Sequence, residues 1–272
     1  MRPHLHVQST TAPARKSWAG RRLFALVLQA LSLLVPVAAC TVSPPTPVSV
    51  VVVCDATGTN PSAVCTKSLL HRAGREWASV SFDAPGSRLS VIEPGADFGS
   101  AEVYGPLVVT SHPKGSGPLV QRQTWERTVE KFIDTIPVTP DDAGNRTDVR
   151  SDLFGAFTVA VALASEAPKG GKAVLMVASD GLAINQNVSA DFEWQIPSES
   201  DLGPVLKRAG LAPSLREFAS ITFCGFGSTK LTPELFEARA AFWRAYARAG
   251  SGPEPAFLST CAGTVPLLSS TP

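Results

Sequence analysis

Apolar positions between residues 48 and 258 fall into short continuous runs that alternate with longer stretches of helical spacing. Val48–Cys54 and Lys172–Ala178 are short, apolar runs, which predicts strands buried on both faces. Further strands are predicted at Ser87–Ile92, Glu102–Thr110, Ser220–Phe226 and Ala256–Leu258, and helices at Pro61–Ser79, Leu119–Ile136, after Phe157 to about Ala164, Asp201–Ala209 and Thr232–Ala249. Because strands alternate with helices, we expect an α/β fold, a doubly wound, mostly parallel sheet with helices on both faces.

The first forty residues differ in composition from the rest of the chain. Five of the 24 Lys and Arg residues precede Leu23, and no Asp or Glu occurs before Cys40. An apolar run from Leu23 to Ala39 follows Arg21-Arg22 and is short for a membrane-spanning helix. It ends in V-A-A-C, which resembles a bacterial lipobox, whose cysteine becomes the lipidated first residue of the mature protein.

This pattern divides the chain into three segments. We expect residues 1–39 to be a signal peptide, residues 40–47 to be a lipidated Cys40 with a Pro-rich tether, and residues 48–272 to be one domain. The protein would then be exported and anchored to the cell membrane through Cys40. A plain signal peptide or an uncleaved anchor remains the alternative. R-R-L-F also resembles a twin-arginine signal, so the export route stays open.

Charge and cysteine content narrow the function classes further. From Cys40 onward the chain holds 19 basic and 23 acidic residues, a net charge of −4, which argues against a nucleic-acid surface. Four cysteines remain beyond Cys40, an even number that predicts at least one disulfide in an exported protein. The pairing is open, and buried thiols in the apolar runs are the alternative. The four are Cys54, Cys65, Cys224 and Cys261.

Carboxylate and hydroxyl side chains follow the predicted strands. In a doubly wound sheet the carboxyl ends of the strands meet at one edge, where ligands bind. Their oxygens are hard ligands that suit Mg²⁺ first, with Mn²⁺ or Ca²⁺ as alternatives, and that do not suit Zn²⁺. The candidate ligands are Asp55, Thr57 and Thr59 after the first strand, Ser151 or its competitor Thr147 at a helix entrance, and Asp180 after Lys172–Ala178.

Three segments resemble one family. D-A-T-G-T looks like the DxSxS motif of von Willebrand factor type A (vWA) domains, S-D-L-F-G-A-F resembles their T-D-I-G-x-A-L segment, and V-L-M-V-A-S-D-G resembles their fourth strand. The resemblance covers about residues 48–250 and implies a Rossmann-like fold with a metal-ion-dependent adhesion site (MIDAS). Thr57, Thr59 and Ser151 would bind the cation through their hydroxyls, and Asp55 and Asp180 through water. A partner protein would supply a carboxylate to the metal, and the module would not be an enzyme.

Two other interpretations use the same residues. D-A-T-G-T also resembles the first motif of haloacid dehalogenase-like phosphatases, in which Asp55 would be the nucleophile of a Mg²⁺-dependent phosphohydrolase. The usual proton-donating acid of that motif falls on Thr57, which weakens the match. In the other interpretation the domain binds no ligand, and its Asp and Thr side chains only cap helices.

Overall fold

A six-stranded sheet forms the centre of the described structure, a computed structural model of the chain. It describes residues 45–55, 64–95, 99–110, 117–138, 151–183, 199–226 and 232–261. Residues 44–272 form one compact unit, and no residue of the other unit, 1–43, is described. The predicted signal peptide, Cys40, Thr57, Thr59 and Thr147 lie outside the described residues. Within those ranges, no helix has both the length and the apolar character needed to span a membrane.

The strand order across the sheet is β3-β2-β1-β4-β5-β6. Neighbouring strands are parallel except for β2 and β3, which pair antiparallel and place β3 at an edge. The strands are β1 (Val48–Cys54), β2 (Arg88–Glu93), β3 (Glu102–Val108), β4 (Lys172–Ala178), β5 (Phe218–Cys224) and β6 (Ala256–Leu258). The chain builds outward from β1 on one side and then returns to the other side at β4. The doubly wound, mostly parallel fold is therefore confirmed, with its topological switch between β1 and β4.

Five described helices cover the two faces of this sheet. They are α1 (Lys67–Ser81), α2 (Pro118–Thr135), α3 (Leu153–Ser165), α4 (Glu199–Arg208) and α5 (Pro233–Ala249). The first two pack on one face, and the other three pack on the opposite face. Thr66 and Thr232 begin α1 and α5, because each hydroxyl accepts a hydrogen bond from a backbone N–H of the first turn. The helix predicted to start behind Asn60 or Pro61 begins at Lys67, where Thr66 caps it.

The burial pattern of β1 explains why the sheet has two hydrophobic faces. All seven residues of the strand are buried, and successive side chains point to opposite sides. Val50 and Val52 pack against α1 and α2, whereas Val51 and Val53 pack against α3, α4 and α5. Burying one such valine contributes about 2 kcal/mol. The continuous apolar run therefore specifies a central strand with helices on both sides.

Two disulfides join the ends of the strands to later segments. Cys54, the last residue of β1, is bonded to Cys65, and Cys224, the last residue of β5, is bonded to Cys261. The expectation of at least one bridge is confirmed, and the buried-thiol alternative is wrong. The first bridge closes the segment that begins with Asp55 and precedes α1.

Candidate metal centre

Two buried carboxylates lie beside the topological switch. Asp55 directly follows β1, and Asp180 lies two residues after β4. The strands are parallel neighbours, with Cys54 opposite Ala178, and the Asp55 N–H donates to the Ala178 carbonyl at 3.0 Å. Asp55 is 1% exposed and Asp180 is fully buried. The structure thus brings together two of the residues that the sequence predicts for the site.

Ser179 connects the two strand ends. Its Oγ donates to Asp55 Oδ2 at 2.6 Å and accepts a hydrogen bond from the Gly181 N–H at 3.1 Å. The Leu182 N–H donates to Asp180 Oδ1 at 3.0 Å, which fixes that carboxylate in a tight turn. Sequence reasoning missed Ser179. The available signal was a hydroxyl residue between the last apolar position of the strand and the aspartate.

Burial raises the pKa of Asp180 to about 6, and the nearby charge of Asp55 raises it as well. The Leu182 N–H and the Arg239 guanidinium act in the opposite direction. At neutral pH, Asp180 is therefore mostly ionised and lies close to a second carboxylate. A cation bound between such groups relieves both their repulsion and their desolvation.

The last helix of the sheet's second face also contacts this turn. Arg239 Nη1 donates to the Asp180 carbonyl at 2.9 Å and lies 3.8 Å from Asp180 Oδ2. One turn further along α5, Trp243 Nε1 donates to the Gly181 carbonyl at 2.9 Å. Trp243 belongs to the core, as its spacing predicts, and additionally holds the site. Sequence reasoning also missed Arg239. Its signal in the sequence was a charged residue four positions before Trp243, on the apolar side of α5.

Ser151 and Asp152 reach the same edge of the sheet at the entrance of α3. The Asp152 N–H donates to the Gly95 carbonyl at 3.0 Å, just beyond β2. Because Ile92 of β2 pairs with Val53 of β1, this contact lies about level with the carboxyl end of β1. Both residues are buried, and the Ser151 Oγ has no hydrogen-bond partner among the described residues.

The capping interpretation does not explain the entrance of α3. Asp152 occupies the N-cap position of α3, yet its side chain makes no capping hydrogen bond. Its charge instead acts on Tyr246 of α5, whose pKa is raised by burial first and by Asp152 second. A residue kept only as a cap would bond the backbone N–H groups of the first turn.

Buried charge is concentrated at this edge of the sheet. Every charged residue that is buried in the described ranges belongs to the residues already named, namely Asp55, Asp152, Asp180 and Arg239. The Ser151 Oγ and Asp180 Oδ2 are buried without a hydrogen bond from the described residues, a costly state that a bound ligand would relieve. Hydroxyl and carboxylate oxygens fit Mg²⁺, Mn²⁺ or Ca²⁺.

The acidic residues alone do not make a complete cation site. Within the described ranges, no group of three or more His, Cys, Asp or Glu side chains is arranged to hold a metal ion. A cation at this edge would therefore depend on hydroxyl ligands, as the predicted set does. Ser151 is the member of that hydroxyl set that the described residues include.

The chain is similar to several solved structures, whereas no protein-family model and no curated protein matches its sequence. The human COPII-coat protein Sec24c has 9% identity and a TM-score of 0.38, over 79% of this chain and 29% of that one. An aerotolerance-related membrane protein from Bacteroides fragilis has 14% identity and a TM-score of 0.36, over 78% of this chain and 90% of that one. A von Willebrand factor type A structure from Catenulispora acidiphila has 12% identity and a TM-score of 0.35, over 76% of this chain and 40% of that one. At these identities the similarity concerns the fold alone.

Proposed function

We propose that the chain is a membrane-tethered, extracytoplasmic vWA-like module that binds a partner protein through a divalent cation. The observation that carries this proposal is the pair of buried carboxylates, Asp55 and Asp180, at the topological switch of the sheet. Ligands bind at that position in doubly wound sheets, because the loops from adjacent strands diverge there. Thr57, Thr59 and Ser151 would supply hydroxyl ligands, with Asp55 and Asp180 acting through water.

The proposed ligand set explains why a partner would be needed. Three hydroxyls are neutral, and carboxylates that act through water neutralise a divalent cation less than direct ligands do. The ion would keep an open position and an excess of positive charge, which a carboxylate of the partner would complete. Mg²⁺ is the cation we propose first, with Mn²⁺ or Ca²⁺ as alternatives. Lipidated Cys40 would hold the module at the outer side of the cell membrane.

Direct titration of the purified protein with Mn²⁺ or Mg²⁺ tests the site. Asp55→Ala and Asp180→Ala should each weaken cation binding by about tenfold or more, the cost typical of losing a group that orients a ligand. Asp83→Ala is the matched control, because Asp83 is exposed and lies between α1 and the first residue of β2, and so does not follow the carboxyl end of a strand. A wild-type protein that binds none of Mg²⁺, Mn²⁺ and Ca²⁺ would exclude the proposal.

A second assay separates the binding module from the phosphohydrolase. The protein is incubated with Mg²⁺ and a panel of phosphate esters, and release of inorganic phosphate is measured. We expect no turnover above that of Asp55→Asn. Turnover that disappears in Asp55→Asn would identify Asp55 as a nucleophile and would replace the proposed function.

A further inference from the structure

Arg239 lies on a face of α5 that otherwise carries apolar side chains. Ala240, Phe242 and Trp243 of the same helix belong to the hydrophobic cluster under the sheet. The Arg239 side chain is 7% exposed, and it is the only buried cationic residue within the described ranges. Burying a guanidinium costs several kcal/mol unless an anion compensates its charge. The Arg239 guanidinium therefore needs a carboxylate partner.

Asp180 contacts the Arg239 guanidinium in two ways. Arg239 Nη1 donates a hydrogen bond to the Asp180 backbone carbonyl, and the same nitrogen lies 3.8 Å from the carboxylate Oδ2. The second distance is that of an ion pair without a hydrogen bond. Asp180 Oδ2 accepts no hydrogen bond from the described residues. The carboxylate charge is thus compensated while this oxygen keeps its lone pairs for another ligand.

We propose that Arg239 is an internal counter-ion of the candidate metal centre, which stabilises Asp180 while no divalent cation is bound and weakens the binding of such a cation. The role rests on the proposed function, because it takes Asp180 as part of a cation site. The guanidinium is held by the Asp180 carbonyl and by the surrounding core, so it cannot move far from an incoming ion. Two positive charges then lie near one carboxylate, and their repulsion lowers the affinity.

This counter-ion would make the domain independent of the metal for its folding. Asp55 and Asp180 would otherwise lie close together with little compensation in the metal-free state. With Arg239 present, the domain folds first and binds the ion only weakly. Tight binding would then require the additional negative charge of a partner, so that the ion and the partner bind together.

The test compares three variants by calorimetric titration of the purified protein with Mn²⁺ alone. Arg239→Gln keeps a donor for the Asp180 carbonyl and removes the charge, so its Kd for Mn²⁺ should be about tenfold lower than that of the wild type. Arg239→Lys keeps the charge, and its Kd should stay within about twofold. Arg244→Gln is the matched control, because Arg244 lies on the same helix and pairs with Glu237 and Glu254.

Thermal melting in EDTA provides the second readout. Metal-free Arg239→Gln should melt below the wild type, and saturating Mn²⁺ should narrow this difference. If Arg239 only held α5 against the turn after β4, Arg239→Gln would be less stable than the wild type and would bind Mn²⁺ equally or more weakly. That result would overturn the counter-ion role. If Arg239→Gln does not fold, the Mn²⁺ Kd of Arg239→Lys tests the counter-ion role instead. A Kd equal to that of the wild type supports the role of the charge, and a markedly higher Kd contradicts it.

The two proposals fail in different ways. Wild-type protein that binds Mn²⁺ and an Arg239→Gln variant that binds no more tightly would overturn the counter-ion role alone. Absence of binding in the wild type and in every variant would overturn the proposed function and the counter-ion role with it.

Discussion

The Cys54–Cys65 disulfide offers a test of how the strand end and the candidate site are connected. Cys54 immediately precedes Asp55, and the bridge closes a segment of the chain whose two cysteines are 11 residues apart. Replacing both cysteines with alanine opens this segment without placing a polar group in the core. The comparison variant, Cys224→Ala/Cys261→Ala, opens the second bridge, which encloses none of the predicted ligands.

The size of the effect follows from the length of chain that each bridge closes. A closed loop of about 11 residues reduces the entropy of the unfolded chain by an amount equivalent to about 3 kcal/mol at 25 °C. For the second bridge, whose cysteines are 37 residues apart, the same relation yields about 4 kcal/mol. For a domain of this length, these losses correspond to a fall in Tm of about 6–16 °C. Loss of the second bridge should therefore destabilise the domain more than loss of the first.

Cation affinity should rank the two bridges in the opposite order. Cys54→Ala/Cys65→Ala frees the backbone next to Asp55, so the Kd for Mn²⁺ should rise by about tenfold or more. Cys224→Ala/Cys261→Ala should change it much less, although it destabilises the domain more. Urea unfolding and Mn²⁺ titration of both double variants measure the two quantities. Equal Kd values for the two variants would refute the reasoning that the first bridge organises the site.

Two further predictions concern the metal-free protein. Folding raises the pKa of Asp180 from 3.8 to about 6, so folding favours its protonated form. The free energy of unfolding should therefore fall by about 2 kcal/mol as the pH rises from about 4 to about 6. Urea titrations across this range check it, and a pH profile unchanged in Asp180→Asn would contradict it. Ser151→Ala removes a buried hydroxyl without a hydrogen-bond partner among the described residues, so stability in EDTA should not fall while Mn²⁺ binding weakens.

The strands and most helices could be predicted because their signals are local. Residues 173–178 form a continuous apolar run between Lys172 and Ser179, and β4 has the predicted bounds, Lys172–Ala178. The predicted strand at Ser220–Phe226 lies at Phe218–Cys224 instead. Gly225, with a φ of +82°, ends the extended backbone there, although the apolar run continues to Phe226. An apolar run alone does not reveal where the backbone turns.

The contacts around Asp180 could not be predicted, because they join distant parts of the chain. Asp55 and Ser179 are 124 residues apart, and Asp180 and Arg239 are 59 apart. A helical pattern indicates that Arg239 lies near the buried side of α5, but not which strand end its guanidinium meets. That depends on how α5 packs across β4 and β5. The carboxylates were predictable from strand ends, whereas the groups that compensate and orient them were not.

The distribution of buried charge favours a functional origin for this edge of the sheet. Three carboxylates and one guanidinium are buried here, whereas no other charged residue is buried in the described core. Replacing buried ionic groups with apolar ones of similar volume is often neutral or stabilising, so stability alone does not account for them. Departures from consistent packing concentrate at functional sites. Their position near the carboxyl ends of the strands, together with the Ser151 hydroxyl, which has no hydrogen-bond partner among the described residues, is where binding of a cation would offset their cost.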